Sequence, residues 1–411
     1  MKKYLEFIAD NTIYVEMRIP NDIIEISKEF NKAGKDLFVV GGAVRDFLQQ
    51  KVPHDFDLVT NALPEESKKI LNNWNVSDEQ GKSFGVLRIY TKNEPLGHEL
   101  ATYRHDISGG RDTKGDDKKV EIGNNITIND DCKRRDLTQN ALYYNIDKKE
   151  IVDLVGGVKD IENNVIRAVG DASERFKEDR LRILRVFRFA ARAKGRKGGI
   201  ISPETSKAIR NDNRLRGVGP KDDVSQERIH EEWNKVIEHA EKNGHKIINN
   251  YIDLLFEYDM WEQMFPKLKI TKQTVTTTNS VIIFSSLLWN NDIPKLKKYM
   301  VRDLKFSSKL VNQIEFLVRL GEELDLYYDN HEGVNTFYVY KLAKMKNQYN
   351  IGDDLIIDYL GSEYQPFIDY CNDGFVISGN DLAAEGFKGR EIETEKQRRE
   401  TERFRSDYLN I

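Results

Sequence analysis

Two periods of hydrophobicity share the N-terminal part of this 411-residue chain. Over residues 21–33 apolar side chains fall at Ile23, Ile24, Ile26 and Phe30, a spacing that predicts a helix with one buried face. Phe38-Val39-Val40 is a short continuous apolar run and reads as a strand, closed by a Gly41-Gly42 turn. A brief helix is predicted over residues 43–50. After a turn at Pro53 a second strand opens on Asp55-Phe56-Asp57. Leu63-Pro64-Glu65-Glu66 starts another helix, with proline in its first turn. Residues 84–90 and 99–103 read as strands, so this part is a small mixed α/β unit.

The helical period dominates afterwards. Residues 129–146, NDDCKRRDLTQNALYYNI, are predicted to open a helix at Arg134-Arg135-Asp136, with Leu137, Ala141 and Leu142 on its buried side. Residues 175–197 predict one amphipathic helix. At about 100° per residue, Asp179, Arg182, Arg185, Arg188 and Arg192 share a face opposite Ile183, Leu184, Val186, Phe187 and Ala190. Beyond residue 245 helical segments recur near 249–265, 280–299, 303–320 and 336–348, without a catalytic motif. Between the two regimes, HDISGGRDTKGDDKK (105–119) lacks an apolar pattern and predicts a mobile loop. DLVGGVKD (153–160) predicts a close, hinge-like turn.

Composition narrows the class. Hydrophobic residues make up 39% and charged residues 32%, which fits a soluble chain with charged helix surfaces. The longest apolar run, near 281–289, is interrupted by Ser285 and Ser286 and is too short to span a bilayer. The start, MKKYLEFIADN, has no apolar region of signal-peptide length. Cys132 and Cys371 lie far apart, suggesting neither a disulfide framework nor a zinc site. The expectation is a cytoplasmic protein with no membrane partner and no obligatory protein partner. A net charge of −4 argues against a uniformly basic nucleic-acid binder but is compatible with a basic stripe.

Candidate chemistry centres on residues 38–60. Side chains alternate along a strand, so Asp55 and Asp57 are expected on one face with Phe56 on the other. Two adjacent carboxylates need compensation, and hard oxygen ligands suit Mg²⁺. Gly41 and Gly42 let backbone N–H groups approach an anion, and Arg45 adds a charged donor for phosphate. A double-glycine turn or a D-x-D pair alone is commonplace. Joined on one strand–turn–helix–turn–strand frame, they suggest nucleoside triphosphate chemistry.

GGAVRD (41–46) followed by HDFDLVT (54–60) resembles the active-site signature of class II tRNA nucleotidyltransferases and bacterial poly(A) polymerases, within the polymerase β-like nucleotidyltransferase superfamily. HELATYR (98–104) resembles the strand bearing a further acidic residue, which makes Glu99 a third candidate carboxylate. RRDLTQNAL (134–142) resembles the motif RRD-F-T-I-N-A-L, with Leu137 for Phe and Gln139 for Ile. The resemblance implies that Arg135 contacts the nucleotide and that Asp136 orients the sugar. E-D-x-x-R at Glu178, Asp179 and Arg182 resembles the amino-acid template that selects C or A by hydrogen bonds to the base edge. Arg180 stands where relatives usually carry Pro, and Arg185 and Arg188 occupy positions that contact nucleotide. VSQERI (224–229) resembles a motif that stabilises the neck, and the segment from Phe375 resembles the C-terminal I-x-G-x-D-L region.

The resemblance implies an α+β protein, with a polymerase β-like head followed by all-helical neck, body and tail. The expected divisions are a 1–20 extension, a 21–150 catalytic head, a 151–245 neck carrying the nucleotide-selecting helix, a 246–335 body and a 336–411 tRNA-binding tail. It implies two Mg²⁺ ions on Asp55 and Asp57, ATP and CTP as substrates, and the 3′ end and acceptor arm of tRNA as partner. The expected reaction is template-independent addition of C, C and A with release of pyrophosphate. The alternatives are a poly(A) polymerase, a CC- or A-adding enzyme, or a non-enzymatic RNA-binding helical protein. The length of the 105–119 loop favours complete CCA addition.

Overall fold

The computed structural model describes residues 6–7, 12–53, 55–78, 85–108, 119–123, 125–195, 198–215, 224–330 and 339–408. They form two compact units, Met1–Val236 with Asn250–Met264, and Ile237–Asn249 with Phe265–Ile411.

The first unit holds a mixed sheet. Its strands are β1 (Glu6–Phe7), β2 (Thr12–Tyr14), β3 (Leu37–Val40), β4 (Asp57–Thr60), β5 (Asn75–Ser77), β6 (Val86–Tyr90) and β7 (His98–Thr102). A separate hairpin follows, β8 (His105–Ser108) with β9 (Lys119–Glu121), and then β10 (Leu142–Asn145) and β11 (Glu150–Asp153). The sheet order is β1-β2-β11-β10-β3-β4-β7-β6-β5. β4 and β7 run parallel, with Leu58 opposite Leu100, while β3 pairs antiparallel with both neighbours.

β3 is apolar throughout because both its faces are covered. Leu37 and Val39 join a core built with Ile23, Ile26 and Phe30 of α1 (Asn21–Lys32) and Val44 and Leu48 of α2 (Gly42–Leu48). Phe38 and Val40 face a second cluster with Val59, Cys132, Tyr143 and Val169. α3 (Pro64–Ile70), α4 (Ile128–Lys133) and α5 (Gly157–Glu162) complete the head. α6 (Ala172–Glu178), α7 (Leu181–Arg192), α8 (Pro203–Asn211), α9 (Gln226–Asn243), α10 (Lys246–Glu257) and α11 (Trp261–Met264) follow. The second unit is helical: α12 (Ser280–Leu288), α13 (Ile293–Arg302), α14 (Ser308–Asn330), α15 (Val339–Gln348), α16 (Asp353–Leu360), α17 (Gln365–Asp373), α18 (Gly379–Ala384) and α19 (Arg390–Tyr408). Among the described residues no helix is long and apolar enough to cross a membrane.

Several expected elements differ. The strand expected to open at Asp55 begins at Asp57, leaving Asp55 in irregular backbone before it. Arg134 ends α4 instead of opening a helix, and Leu137 is extended at φ −125°, ψ 144°, bridging to Ala168. The aromatic pair Tyr143-Tyr144 then favours strand β10. The helix expected over 175–197 is broken, because Asp179 is extended at φ −155°, ψ 101°. Its buried carboxylate accepts Leu181 N–H and two bonds from Arg228, partners that an unbroken helix would not give it. In the second unit the segment expected over 280–299 divides at Asn291, whose amide bonds Lys269 and Leu288 backbone groups. The loop expected over 105–119 has paired flanks, and residues 109–118 lie outside the described residues.

The DLVGGVKD turn is firmly tied down. Asp153 accepts the N–H groups of Val155, Gly157 and Val158 at 3.2, 2.9 and 2.9 Å. Gly156 holds φ +78° with open space around it, whereas a Cβ on Gly157 would stand 2.2 Å from the Thr138 carbonyl oxygen. Gly157→Ala should therefore cost about 3 kcal/mol through overpacking, and Gly156→Ala only about 1 kcal/mol through its backbone. Urea unfolding of both variants checks the order; equal losses would remove the close-packing account.

Candidate active site

The turn after β3 brings bare backbone against two guanidinium groups. Gly41 adopts φ +74°, ψ −119°, closed to ordinary side chains, and its N–H donates to Leu142 O at 3.1 Å. A Cβ there would lie 3.8 Å from Arg135 Nη1, and one on Gly42 3.6 Å from Arg45 Nη2. The constraint at Gly41 is conformation, not space.

Strand register assembles the carboxylates. Val40 opposes Asp57 across the antiparallel pair, and the parallel β4–β7 register sets Asp57 level with Glu99. Asp55 and Asp57 are accessible while Phe56 between them is buried, as alternation predicts. Although Asp57 reaches solvent, the protein around it strips hydration, and Asp55 and Glu99 add negative charge. Together they push its carboxyl up to about 6 against the pull of Arg135 and Arg88. Glu99 itself is exposed and accepts Arg88 Nη2 at 2.5 Å. Among the described residues no group of three or more His, Cys, Asp or Glu is arranged to hold a metal ion. Among the described residues Asp55 and Asp57 have no ion-pair partner, whereas Glu99 has Arg88 as its counter-ion.

Arg135 is presented by a buried acid absent from the motif reading. Asp131, one helical turn earlier, accepts Arg135 Nη2 at 2.9 Å, Arg134 Nε at 2.8 Å and the Tyr143 hydroxyl at 2.7 Å. Burial alone would protonate Asp131. The Arg135 and Arg134 guanidinium groups and the Tyr143 hydroxyl outweigh it and hold the carboxyl at about 2. Arg135 also lies 5.1 Å over the Tyr143 ring, with Nη1 on the Gly41 side. The i,i+4 spacing of Asp131 and Arg135 was visible in the sequence; the role of Tyr143 needed the fold.

The remaining expected residues form a lattice of acids and arginines. Asp136 Oδ2 accepts Arg185 Nε at 2.7 Å, and its Oδ1 accepts Leu137 N–H and Asn140 Nδ2. Despite burial, Arg185 and these donors hold Asp136 well below the usual carboxylate range. Asp179 Oδ1 and Oδ2 accept Arg228 Nη2 at 3.0 and 2.9 Å. Arg182 donates to Glu178 Oε2 at 2.6 Å and to the carbonyls of Arg175 and Arg134. Arg188 Nε meets buried Glu232 at 2.6 Å. Arg45 donates to Asn140 Oδ1 at 2.5 Å and, through Nε and Nη2, to Asp46. Phe189 stands among the arginines, with the Arg45, Arg185, Arg188 and Arg192 guanidinium carbons 4.6–5.9 Å from its ring centre. Asp46, Asn140, Phe189, Arg228 and Glu232 were not among the sequence candidates. Gln139, the polar replacement in the RRD motif, is buried at 3% exposure with no partner for its Nε2 among the described residues.

Residues 37–167 match the poly(A) polymerase head domain. Poly(A) polymerase I of Escherichia coli is 34% identical over 256 residues, 61% of this chain and 51% of its own length. The CCA-adding enzyme of Lactobacillus helveticus is 32% identical over 295 residues, 70% of this chain and 68% of that enzyme. The chain belongs to the tRNA nucleotidyltransferase/poly(A) polymerase family. The alignments to poly(A) polymerase I span about half the length of those relatives. The crystal structure of Bacillus stearothermophilus CCA-adding enzyme in complex with CTP matches with a TM-score of 0.60 at 20% identity, covering 96% of this chain and 94% of that one. That likeness shows the shared fold, the mixed head followed by helices.

In this family member the Asp131 pairing is testable through pH. Its folded carboxyl titrates at about 2, below the ordinary 3.8, so its stabilisation is complete above pH 4 and fades as pH falls toward 2. The shift corresponds to roughly 2 kcal/mol. Asp131→Asn should be less stable than the parent at pH 6, with the gap narrowing as pH falls from 4 to 3 in urea titrations. A gap independent of pH would contradict the assignment.

Proposed function

We propose that this protein completes or repairs the 3′ CCA end of tRNA from CTP and ATP without a nucleic-acid template. The observation that carries the reading is the meeting of Asp57, Asp55 and Arg135 on one side of the sheet beside the Gly41 turn. Relatives support CCA addition over poly(A) synthesis. CCA-adding enzymes align over 66–88% of their length, against 51–56% for poly(A) polymerase I. Solved CCA-adding enzymes of this fold were captured with ATP and with tRNA_CCA.

Asp55 and Asp57 would hold two Mg²⁺ ions, which supply acidification of the RNA 3′-hydroxyl and neutralisation of triphosphate charge. In the reaction the 3′-oxygen attacks the α-phosphorus of CTP or ATP. A new phosphodiester forms, the bond to the β-phosphate breaks, pyrophosphate leaves and the hydroxyl proton is released. Arg135, held by Asp131 and Tyr143, turns a guanidinium edge toward Gly41, where the triphosphate would approach bare backbone. Glu99 raises the local negative field that recruits cations.

Asp179 and Arg182 would read the base edge. Asp179 accepts Arg228 and Leu181 N–H, which fix its carboxylate at the start of α7 as an acceptor of the kind a base amino group needs. Arg182 commits three of five N–H donors, leaving two. Arg185, Arg188 and Arg45, engaged by Asp136, Glu232 and Asp46, would act as positioning residues that hold this edge in place.

The test supplies Mg²⁺ and a tRNA transcript lacking CCA, with CTP alone, ATP alone and both, and reads product length on a sequencing gel. Two additions with CTP and a third only when ATP is present are expected. A long ladder with ATP alone would instead make the protein a poly(A) polymerase, and bound RNA with no extension a non-catalytic binder. Asp55→Ala should lose on the order of 10³-fold in incorporation with the fold intact. Asp179→Ala should blur the choice between C and A; unchanged selectivity would refute the base-reading role.

A further inference from the structure

The proposed base-reading groups sit at the N-terminal end of α7, while cations that the reaction does not use collect at its other end. At about 1.5 Å per residue, Arg192 lies roughly 15 Å along the axis from Arg182. There the C-terminal ends of α2 and α7 bring Lys51, Arg192 and Lys194 into one electrostatic cluster. Arg192 is only 17% exposed, yet its Nη2 stops 3.9 Å from Asp46 Oδ1, outside hydrogen-bond reach. That oxygen is already taken by Arg45 Nε and Nη2 at 2.9 and 2.8 Å. Lys194 Nζ reaches the Gln49 carbonyl at 3.5 Å. Around this point, among the described residues, Arg45, Lys51, Arg185, Arg188, Arg192 and Lys194 face the acids Asp46 and Glu232, with Glu162 at the edge beside Lys194.

The charge excess has physical consequences. Burial and the neighbouring cations, Arg192 foremost, hold the Lys51 ammonium below its usual range. Burial, Arg45 and Arg188 likewise bring Arg192 down to about 9. Like charges held this close are relieved by a counter-anion. Lys194 also lines an open cavity of about 310 Å³, with Leu48 and Ile161 as apolar lining and Gln49, Gln50 (the residue before Lys51) and Asn164 as further polar lining. Exposed Glu162 also borders it and limits how far an anion can enter. Asn164 Nδ2 holds the Lys194 turn by donating to Lys194 O at 2.5 Å and Gly198 O at 3.2 Å. A small anion would leave the apolar wall unused, whereas a nucleotide unit would cover it while its phosphate met the cations.

We propose that Lys51, Arg192 and Lys194 form a second phosphate site, apart from the triphosphate, that takes a backbone phosphate of the bound RNA. The RNA occupant rests on the function proposed above; the charge excess does not. Lys51 and Lys194 are exposed, so Lys51→Gln combined with Lys194→Gln should fold normally. In the full-length protein, affinity for a tRNA transcript lacking CCA is measured by anisotropy from 50 to 200 mM salt. The double variant should bind about tenfold more weakly at low salt and lose about 1–2 from the log–log salt slope. Its affinity for CTP should be unchanged. A second arm follows the thermal shift produced by inorganic pyrophosphate without Mg²⁺. Unchanged RNA binding with a lost pyrophosphate shift would overturn the RNA occupant in favour of a free-phosphate site. No change in either arm would overturn the site and leave the lysines as complements to the helix C-termini. If the parent protein binds no RNA, the functional reading and the RNA occupant both fall, and the pyrophosphate arm alone decides whether an anion site exists.

Discussion

A carboxylate taken out of water must be met by cations or donors, and this requirement organises the first unit. Asp131, Asp136, Asp179 and Glu232 are each shielded from solvent, and each is answered by arginine. Removing one partner from such a buried pair leaves a stranded charge, a far larger penalty than the pair's net contribution to stability. The lattice therefore fixes geometry more than it adds stability. It sets where Arg135 turns its free edge, breaks the helix at Asp179, and ties the RRD turn to α7 through Asp136 and Arg185.

Charge is sorted by position in consequence. The sheet contributes Asp57, with Asp55 just ahead of the strand; among the described residues neither has an ion-pair partner, and burial and mutual repulsion raise Asp57. The helices contribute arginines whose acids are already in place, so their residual donors rather than their whole charge face a ligand. Phe189 has four guanidinium groups around its ring, whose quadrupole offsets part of the repulsion among them. In the second unit α19 shows the opposite regime. Arg398, Arg399 and Arg403 are spent on Glu395, Glu402, Glu385 and Glu400, a mostly exposed network in which charge is neutralised locally. In the segment expected as the tRNA-binding tail, these three arginines are engaged within the helix and its immediate surroundings.

Elements with an unambiguous hydrophobic period were legible before folding. α1, β3 and α7 keep the buried residues that their spacing predicts, because periodicity is a local property of the chain. The basic and acidic residues of the RRD segment suit a helix start, yet Leu137 is extended and the segment leads into β10. The β-propensity of Tyr143 and Tyr144 and the open edge of β3 prevailed. The row of arginines on α7 was correctly placed on one face, yet it is not a solvated stripe. Glu232, from α9, lies some forty residues further along the chain and closes over Arg188.

The sequence by itself determined the local facts: the glycine turn that only φ > 0 permits, the D-x-D alternation, the amphipathic α7, and the motif set that marks the family. These depend on neighbours within a few residues, so spacing alone encodes them. Tertiary structure decided which charges meet. Glu99 was given to Arg88, Asp179 to Arg228, Arg45 to Asp46 and Asn140, and among the described residues Arg192 has no acid within hydrogen-bond reach. Ion pairing acts through space between segments that the fold brings together, and no period along the chain records it.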